Sequence, residues 1–234
     1  MNDTRRVAIL TGGTGALGQS VTTRLLTGGS SVHIPYVVPA ELDALQARLT
    51  PELRPRLHAT RISDVGDEPA FGAYVRGVLD REGRVDILVN IVGGFAGGDL
   101  ASTSLDDWNR MIRLNLTSTM VACRAVLPAM TKAGFGRIVN IGSRAVVPPM
   151  GGFIAYTVSK AGVITLTQAL AHEAKPHGIT VNVVLPSTMD TPANRQAMPD
   201  ADRSSWVTTD AVAEVIVYLA SDQAAAVSGA LIPV

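Results

Sequence analysis

A tyrosine and a lysine four positions apart, in Tyr156-Thr157-Val158-Ser159-Lys160, are the residues best suited by type and spacing to do chemistry. The 234-residue chain has only four tyrosines and three lysines, so the pairing is not a by-product of abundance. On a helix, i, i+4 spacing sets both side chains on one face. A phenol with a pKa of about 10 is a poor acid–base group at neutral pH. A neighbouring ammonium stabilises the phenolate and lowers that value. Together the two groups suit proton transfer to or from a carbonyl or alcohol oxygen. The plain alternative is a half-buried tyrosine beside a lysine whose stem lies along apolar surface.

A second group of residues lies near the start of the chain. The apolar run Val7-Ala8-Ile9-Leu10 leads into Thr11-Gly12-Gly13-Thr14-Gly15-Ala16-Leu17-Gly18. There Gly13, Gly15 and Gly18 satisfy G-x-G-x-x-G between a strand pattern and a helix pattern. A pyrophosphate must approach backbone N–H groups at a helix N-terminus, and a Cβ would block it. Gly12, Thr14, Gly15, Ala16 and Leu17 are therefore expected to hold a dinucleotide. An acid that binds the ribose 2′-hydroxyl usually follows about 20 residues on. Here that place falls near Tyr36, in His33-Ile34-Pro35-Tyr36-Val37-Val38, which has no Asp and no Arg or Lys for a 2′-phosphate. Glu41 and Asp43 come later, where a solvated helix face is the simple reading. The cofactor expected is NAD or NADP. Asp64 could contact the adenine side or serve as a turn or cap residue.

These side chains need a scaffold. Short apolar runs rich in β-branched residues fall at 7–10, 32–38, 57–62, 87–91, 137–141, 180–185 and 230–234. Helical patterns occupy 16–28, 40–49, 67–82, 105–132, 153–175 and 209–220. Strand then helix, repeated about six times, predicts an α/β fold. Its core would be a doubly wound parallel sheet of about seven strands with helices on both faces, in one domain over residues 1–234. Gly28-Gly29 and Gly178 mark helix ends, and Ser104-Leu105-Asp106-Asp107 a capped helix start. Residues 186–208, with three prolines, are expected to form a substrate lid rather than a disordered loop.

Composition narrows the function classes. The chain is 47% hydrophobic and 17% charged, which excludes intrinsic disorder. Twenty basic residues balance twenty acidic ones, leaving no electrostatic footprint for nucleic acid or an anionic membrane. One cysteine, Cys123, excludes an intramolecular disulfide framework and a Cys-rich metal site, and no metal is expected. The opening apolar run is too short for a signal-peptide core, and Glu214 interrupts the apolar stretch 211–220. A cytoplasmic location is the expectation.

Further motifs follow the glycine turn in order: Asp64-Val65, Leu88-Val89-Asn90-Ile91-Val92-Gly93, Leu114-Asn115-Leu116, Asn140-Ile141-Gly142-Ser143, the Tyr156/Lys160 pair, and Pro186-Ser187-Thr188-Met189-Asp190-Thr191. In them the sequence resembles the short-chain dehydrogenase/reductase family, with 3-oxoacyl reductases as the nearest type, over nearly the whole chain. The turn is similar to that family's Thr-Gly-x-x-x-Gly-x-Gly, with Gly12 and Gly18 matching and Ala16 at the middle glycine. Asn90 and Gly93 match its Asn-Asn-Ala-Gly, from which Ile91 and Val92 depart, and Ser187 replaces the glycine of its Pro-Gly-x-x-x-Thr.

The resemblance implies a Rossmann-like fold and an NAD(P)-dependent oxidoreductase that interconverts a ketone and a secondary alcohol. It implies four catalytic residues: Ser143 binds the substrate oxygen, Tyr156 exchanges its proton, Lys160 holds the ribose hydroxyls, and Asn115 supports a relay water. It implies cofactor contacts from Asp64, Val65, Asn90, Gly93, Tyr156, Lys160, Pro186, Thr188 and Thr191, besides the turn and Tyr36. The substrate implied is a small or medium carbonyl or alcohol compound, with a 3-oxoacyl thioester to the fore and a steroid, sugar or pteridine still open. The Gly-Ala-Leu-Gly turn is also similar to dihydropteridine reductases, and a non-catalytic dinucleotide-binding sensor or assembly subunit is the rival of another class. Gly93 to Gly98, Arg144, residues 146–150, Met189, Met198 and Trp206 are expected to border the substrate. The resemblance further implies a homotetramer, with a dimer second, built on the helices at 105–132 and 153–175. Val121, Ala122, Ala125, Val126, Leu127, Val163, Ile164, Leu166, Ala169 and Leu170 would form an outward apolar stripe there, or simply a thick core. Past the last strand the family commonly continues with Asp-Gly-Gly, where this sequence has Pro233-Val234.

Overall fold

The computed structural model describes residues 5–234, so the first four residues of the opening segment lie outside it. In chain order the first elements are β1 (Val7–Thr11), α1 (Ala16–Thr27), β2 (Ser31–Tyr36), α2 (Pro39–Arg48), β3 (Leu57–Arg61), α3 (Glu68–Glu82) and β4 (Ile87–Asn90). Then come α4 (Leu105–Met111), a π-helical stretch (Ile112–Thr117), α5 (Ser118–Ala133), β5 (Gly136–Ile141), α6 (Ile154–Ala174) and β6 (Ile179–Leu185). The chain finishes with β7 (Met189–Asp190), α7 (Pro192–Ala197), β8 (Val207–Thr208), α8 (Thr209–Leu219) and β9 (Leu231–Pro233).

Seven strands form one parallel sheet in the order β3-β2-β1-β4-β5-β6-β9. The order reverses between β1 and β4, which opens a crevice at their carboxyl ends, where ligands of such sheets bind. Alternation along β1 explains the two layers. Ala8 and Leu10 pack on one face with Leu17, Val21, Leu25, Val212 and Ile216 from α1 and α8. Val7 and Ile9 pack on the other with Phe71, Val75, Val121, Val126 and Leu170 from α3, α5 and α6. A strand buried on both faces must be apolar at every position, which is why these runs do not alternate in polarity.

Three boundaries depart from the sequence patterns for local reasons. The second strand stops at Tyr36, the last position paired with β3, and Val37 and Val38 are exposed before Pro39 opens α2. The single helix expected over 105–132 is interrupted by the π-helical stretch that contains Asn115. Residues 186–208 are built rather than irregular. Here β7 and β8 pair in parallel, α7 lies between them, and Arg195 forms a fork with Asp190 at 2.5 and 2.7 Å.

The apolar stripe expected to face outward is largely core. Val121, Ala122, Val126, Val163, Ile164 and Leu170 are buried within the chain itself. Ala125, Leu127 and Leu166 are half-buried and Ala169 is exposed, so part of the stripe reaches the surface. Among the described residues, no helix is long and apolar enough to cross a membrane.

Candidate active site

The glycine turn sits at the carboxyl end of β1. Gly12 has φ +69°, a left-handed conformation that L side chains rarely adopt, and a Cβ there would lie 2.9 Å from the backbone N of Val92. The turn is thus pressed against the loop after β4. Gly15 stands at the N-cap of α1 with no side-chain cap bond and no acid in the first turn. By contrast, Asp67, Ser104 and Thr208 cap α3, α4 and α8 through their side chains. Open N–H groups and the positive end of the dipole at α1 suit an anionic pyrophosphate. Ala16 is exposed there, whereas the Leu17 side chain belongs to the core and leaves only its backbone for a ligand.

The loop after β4 carries the turn across to α6. A Cβ on Gly93 would lie 2.7 Å from Asn115 Oδ1 and 3.2 Å from Lys160 Nζ. Only glycine leaves this approach open. Asn115, 1% exposed, holds the loop in place: Gly94 N–H donates to its Oδ1 (2.9 Å), and its Nδ2 donates to Gly94 O (3.1 Å) and to Ser159 Oγ (2.9 Å). Ser159 in turn donates to the backbone O of Tyr156 at 2.7 Å. The π-helical stretch therefore fastens the β4 loop to the helix that bears the tyrosine and the lysine.

Lys160 is 6% exposed, and its Nζ donates to Ile141 O at 2.8 Å. Burial depresses its pKa from 10.5 to about 8. Tyr156 shares a hydrogen bond with Ser143, which has come off the end of β5. Burial raises the phenol above its ordinary pKa, and the Ser143 bond opposes that rise. This corrects the expectation of a lowered phenol. The ammonium is directed at a main-chain carbonyl, and desolvation outweighs the stabilisation offered to the phenolate. Tyr156 also packs edge-on against Phe95 (5.0 Å between ring centroids) and Phe153 (6.1 Å). Phe95 is 64% exposed, so the tyrosine has an apolar, open approach.

The other expected contacts divide. Asp64 behaves as a turn residue: Oδ1 accepts from Gly66 N–H (2.6 Å) and Oδ2 pairs with Arg113 (2.6 Å), while Val65 is buried in the core. Asn90 Nδ2 donates to Asn140 Oδ1 at 2.8 Å, and Asn140 Nδ2 reaches Thr167 (2.9 Å), in a buried polar layer beneath the site. The Thr191 hydroxyl caps α7 by accepting from Asn194 N–H (3.2 Å). Pro186 O accepts from Arg144 N–H (3.1 Å), and Thr188 O from Val207 N–H (3.0 Å). Tyr36 ends β2, half-buried. Thr14 donates to Glu41 Oε2 at 2.8 Å, which ties the exposed Glu41 to the turn. Sequence reasoning missed Glu41, Phe153, Ser159 and the Ile141 carbonyl. Only Ser159, inside the Tyr-to-Lys span, had a signal there.

The short chain dehydrogenase profile matches residues 6–202. The chain belongs to the short-chain dehydrogenase family. This short-chain dehydrogenase is 34% identical over 236 residues to the BbsD subunit of a hydroxy(phenyl)methylsuccinyl-CoA dehydrogenase from Thauera aromatica, covering 96% of this chain and 92% of that one. It is 32% identical over 242 residues to an acetoacetyl-CoA reductase from Allochromatium vinosum, covering 98% and 96%. A solved structure of ElxO with NADP bound superposes with a TM-score of 0.91 at 25% identity, covering 98% of this chain and 96% of that one. This short-chain dehydrogenase is thus an oxidoreductase acting on CH–OH/C=O groups, and its cofactor is NAD or NADP.

Proposed function

We propose that this enzyme interconverts a 3-oxoacyl thioester and the corresponding secondary alcohol, with Tyr156 as its acid–base group. The observation that carries the reading is the convergence of Tyr156, Ser143 and Lys160 on the loop of Gly93, beside the glycine turn. The residues that would hold the dinucleotide are the backbone of residues 12–17, Gly93 and Lys160. The uncapped start of α1 and the two close glycine approaches fit that group. When bound, the nicotinamide supplies or accepts the hydride.

The chain's own residues handle the proton. Ser143 Oγ donates to the substrate oxygen and orients it toward Tyr156 Oη. Reduction requires a protonated phenol, and the raised pKa keeps Tyr156 in that form at neutral pH. Lys160 Nζ binds the ribose hydroxyls, and its charge steadies the phenolate left behind. Asn115 acts as a positioning residue, because its side chain is occupied by Gly94 and Ser159. Any relay water it supports is held through the backbone of the π-helical stretch. The rings of Phe95 and Phe153 give the reacting carbon an apolar border, and the segment 186–208 is the lid that would close over it.

Two relatives named for CoA thioesters, together with the aromatic approach to Tyr156, support the substrate class. Glu41, hydrogen-bonded to Thr14 at the turn, supports NAD as the preferred cofactor, since a 2′-phosphate there would meet a carboxylate. A homotetramer in a reducing cytoplasm, with a dimer as the second state, completes the proposal, and light scattering reads the assembly. The test of function follows absorbance at 340 nm with acetoacetyl-CoA and longer 3-oxoacyl thioesters, set against sugars, steroids and pteridines. Cofactor binding without turnover of any thioester would overturn the substrate class. Turnover in a Tyr156→Phe variant would overturn the mechanism.

A further inference from the structure

Away from the crevice, three side chains from separate elements converge under α3. His33 of β2 and His58 of β3 are register partners, so the strand pairing itself sets their rings side by side, 4.6 Å apart between centroids. Glu82 closes α3 at the same level. Its Oε1 lies 2.9 Å from His33 Nε2 and 3.7 Å from His58 Nε2, and it accepts from Ser31 Oγ at 3.1 Å. One ligand atom from each of the three residues falls within 4.8 Å of the others.

We propose that His33, His58 and Glu82 form a divalent-metal site of the zinc class, separate from the carbonyl-reducing site and joining β2, β3 and α3. Two imidazole nitrogens and a carboxylate oxygen are a donor set that zinc favours. With metal–ligand bonds of about 2.0–2.1 Å, tetrahedral ligand atoms stand roughly 3.3 Å apart. The separations of 2.9 and 3.7 Å bracket that distance. All three ligand atoms lie within 4.8 Å of one another, so the imidazoles must close toward each other to share one ion.

The surroundings point to a ligand independently of the triad. A cavity of about 630 Å³ opens over His33 and His58 and is bordered by Tyr74 and Arg81. The Tyr74 hydroxyl is buried without a hydrogen-bond partner among the described residues. A hydrated cation would bring the water that this phenol lacks. Arg81 is the one permanently cationic side chain on the cavity wall. It opposes the ion and favours a water-derived or anionic fourth ligand.

The test is titration of the intact, metal-stripped protein with Co²⁺ and Zn²⁺. We expect one equivalent of Co²⁺ to give the visible ligand-field bands of a four-coordinate N/O site. Zn²⁺ should displace it and raise the melting temperature. His58→Gln and Glu82→Gln, confirmed as folded by circular dichroism, should each weaken binding by more than about 100-fold, beyond the effect of losing a supporting hydrogen bond. Arg81→Gln should tighten it. Binding that survives His58→Gln, or the absence of any stoichiometric site at micromolar metal, would overturn the proposal.

Discussion

The two ends of the sheet handle polar groups in opposite ways. At the carboxyl end, between β1 and β4, the groups that meet a ligand are left short of partners: α1 starts uncapped, Gly12 and Gly93 keep close approaches open, and Lys160 has one neutral carbonyl as its recorded hydrogen-bond partner. At the amino-terminal half of β2 and β3, the groups satisfy each other: His33, His58, Ser31 and Glu82 converge on one carboxylate. The first arrangement stores unmet hydrogen-bonding capacity where substrate and cofactor can satisfy it. In the second, Ser31 and His33 bond Glu82 while His58 stands 3.7 Å from it, and an ion would draw the three ligands together. Perturbed ionisable groups occur at both ends, so a pKa shift alone does not locate the reaction. What separates the two is access to the glycine turn.

The contrast can be broken most sharply at Tyr156. The Tyr156→Phe variant should lose roughly 10²- to 10⁴-fold in turnover, with cofactor affinity nearly unchanged, as read by 340 nm assays and NADH fluorescence. An equal change in both quantities would make the tyrosine a binding group.

Lys160 tests the stored capacity directly. The Lys160→Met variant should lose cofactor affinity as well as turnover, yet gain stability at pH 7 on the order of 1–3 kcal/mol, because a buried ammonium has been removed. The sign follows from linkage. The folded pKa of about 8 lies below the ordinary 10.5, so between them the unfolded chain binds more protons. Wild-type stability should therefore rise with pH from about 8 toward 10.5, and this contribution should be missing from Lys160→Met in denaturant melts.

Smaller effects sharpen the comparison. A Gly12→Ala change imposes a left-handed conformation and a contact with Val92, at a cost of about 1–3 kcal/mol, and should weaken NADH binding. Glu41→Gln should improve NADPH affinity relative to NADH by about 2- to 5-fold, the scale of one partly screened charge interaction. At the other end of the sheet, His58→Gln should leave turnover of the thioester unchanged, so any kinetic defect there would join the two regions.

Much of the fold was legible because strand burial and helix periodicity are local patterns. The seven apolar runs and the glycine turn each stand at the predicted place, and Ser104 caps α4 as its spacing suggests. The Tyr156/Lys160 pair was legible for the same reason, since a helix fixes i and i+4 on one face. The apolar excess on α5 and α6 left two readings open, because composition cannot tell an outward stripe from a thick core, and packing buries Val121, Ala122, Val126, Val163, Ile164 and Leu170. The partners of Asp64 and Asn90 were not legible: packing pairs the first with Arg113 and the second with Asn140. Glu41 is exposed on α2, as its solvated reading has it, and only the packing shows its bond to Thr14.

The sequence by itself determined the order of strands and helices, the glycine turn, and the residue types that can move a proton. Tertiary structure alone decided which polar groups keep free capacity. It turned Lys160 toward Ile141, fastened Asn115 to Gly94 and Ser159, and brought positions 33, 58 and 82 together across two strands and a helix. The reason is that secondary structure follows from interactions a few residues apart, whereas pKa values, ligand sets and hydrogen-bond partners depend on neighbours that only chain packing supplies.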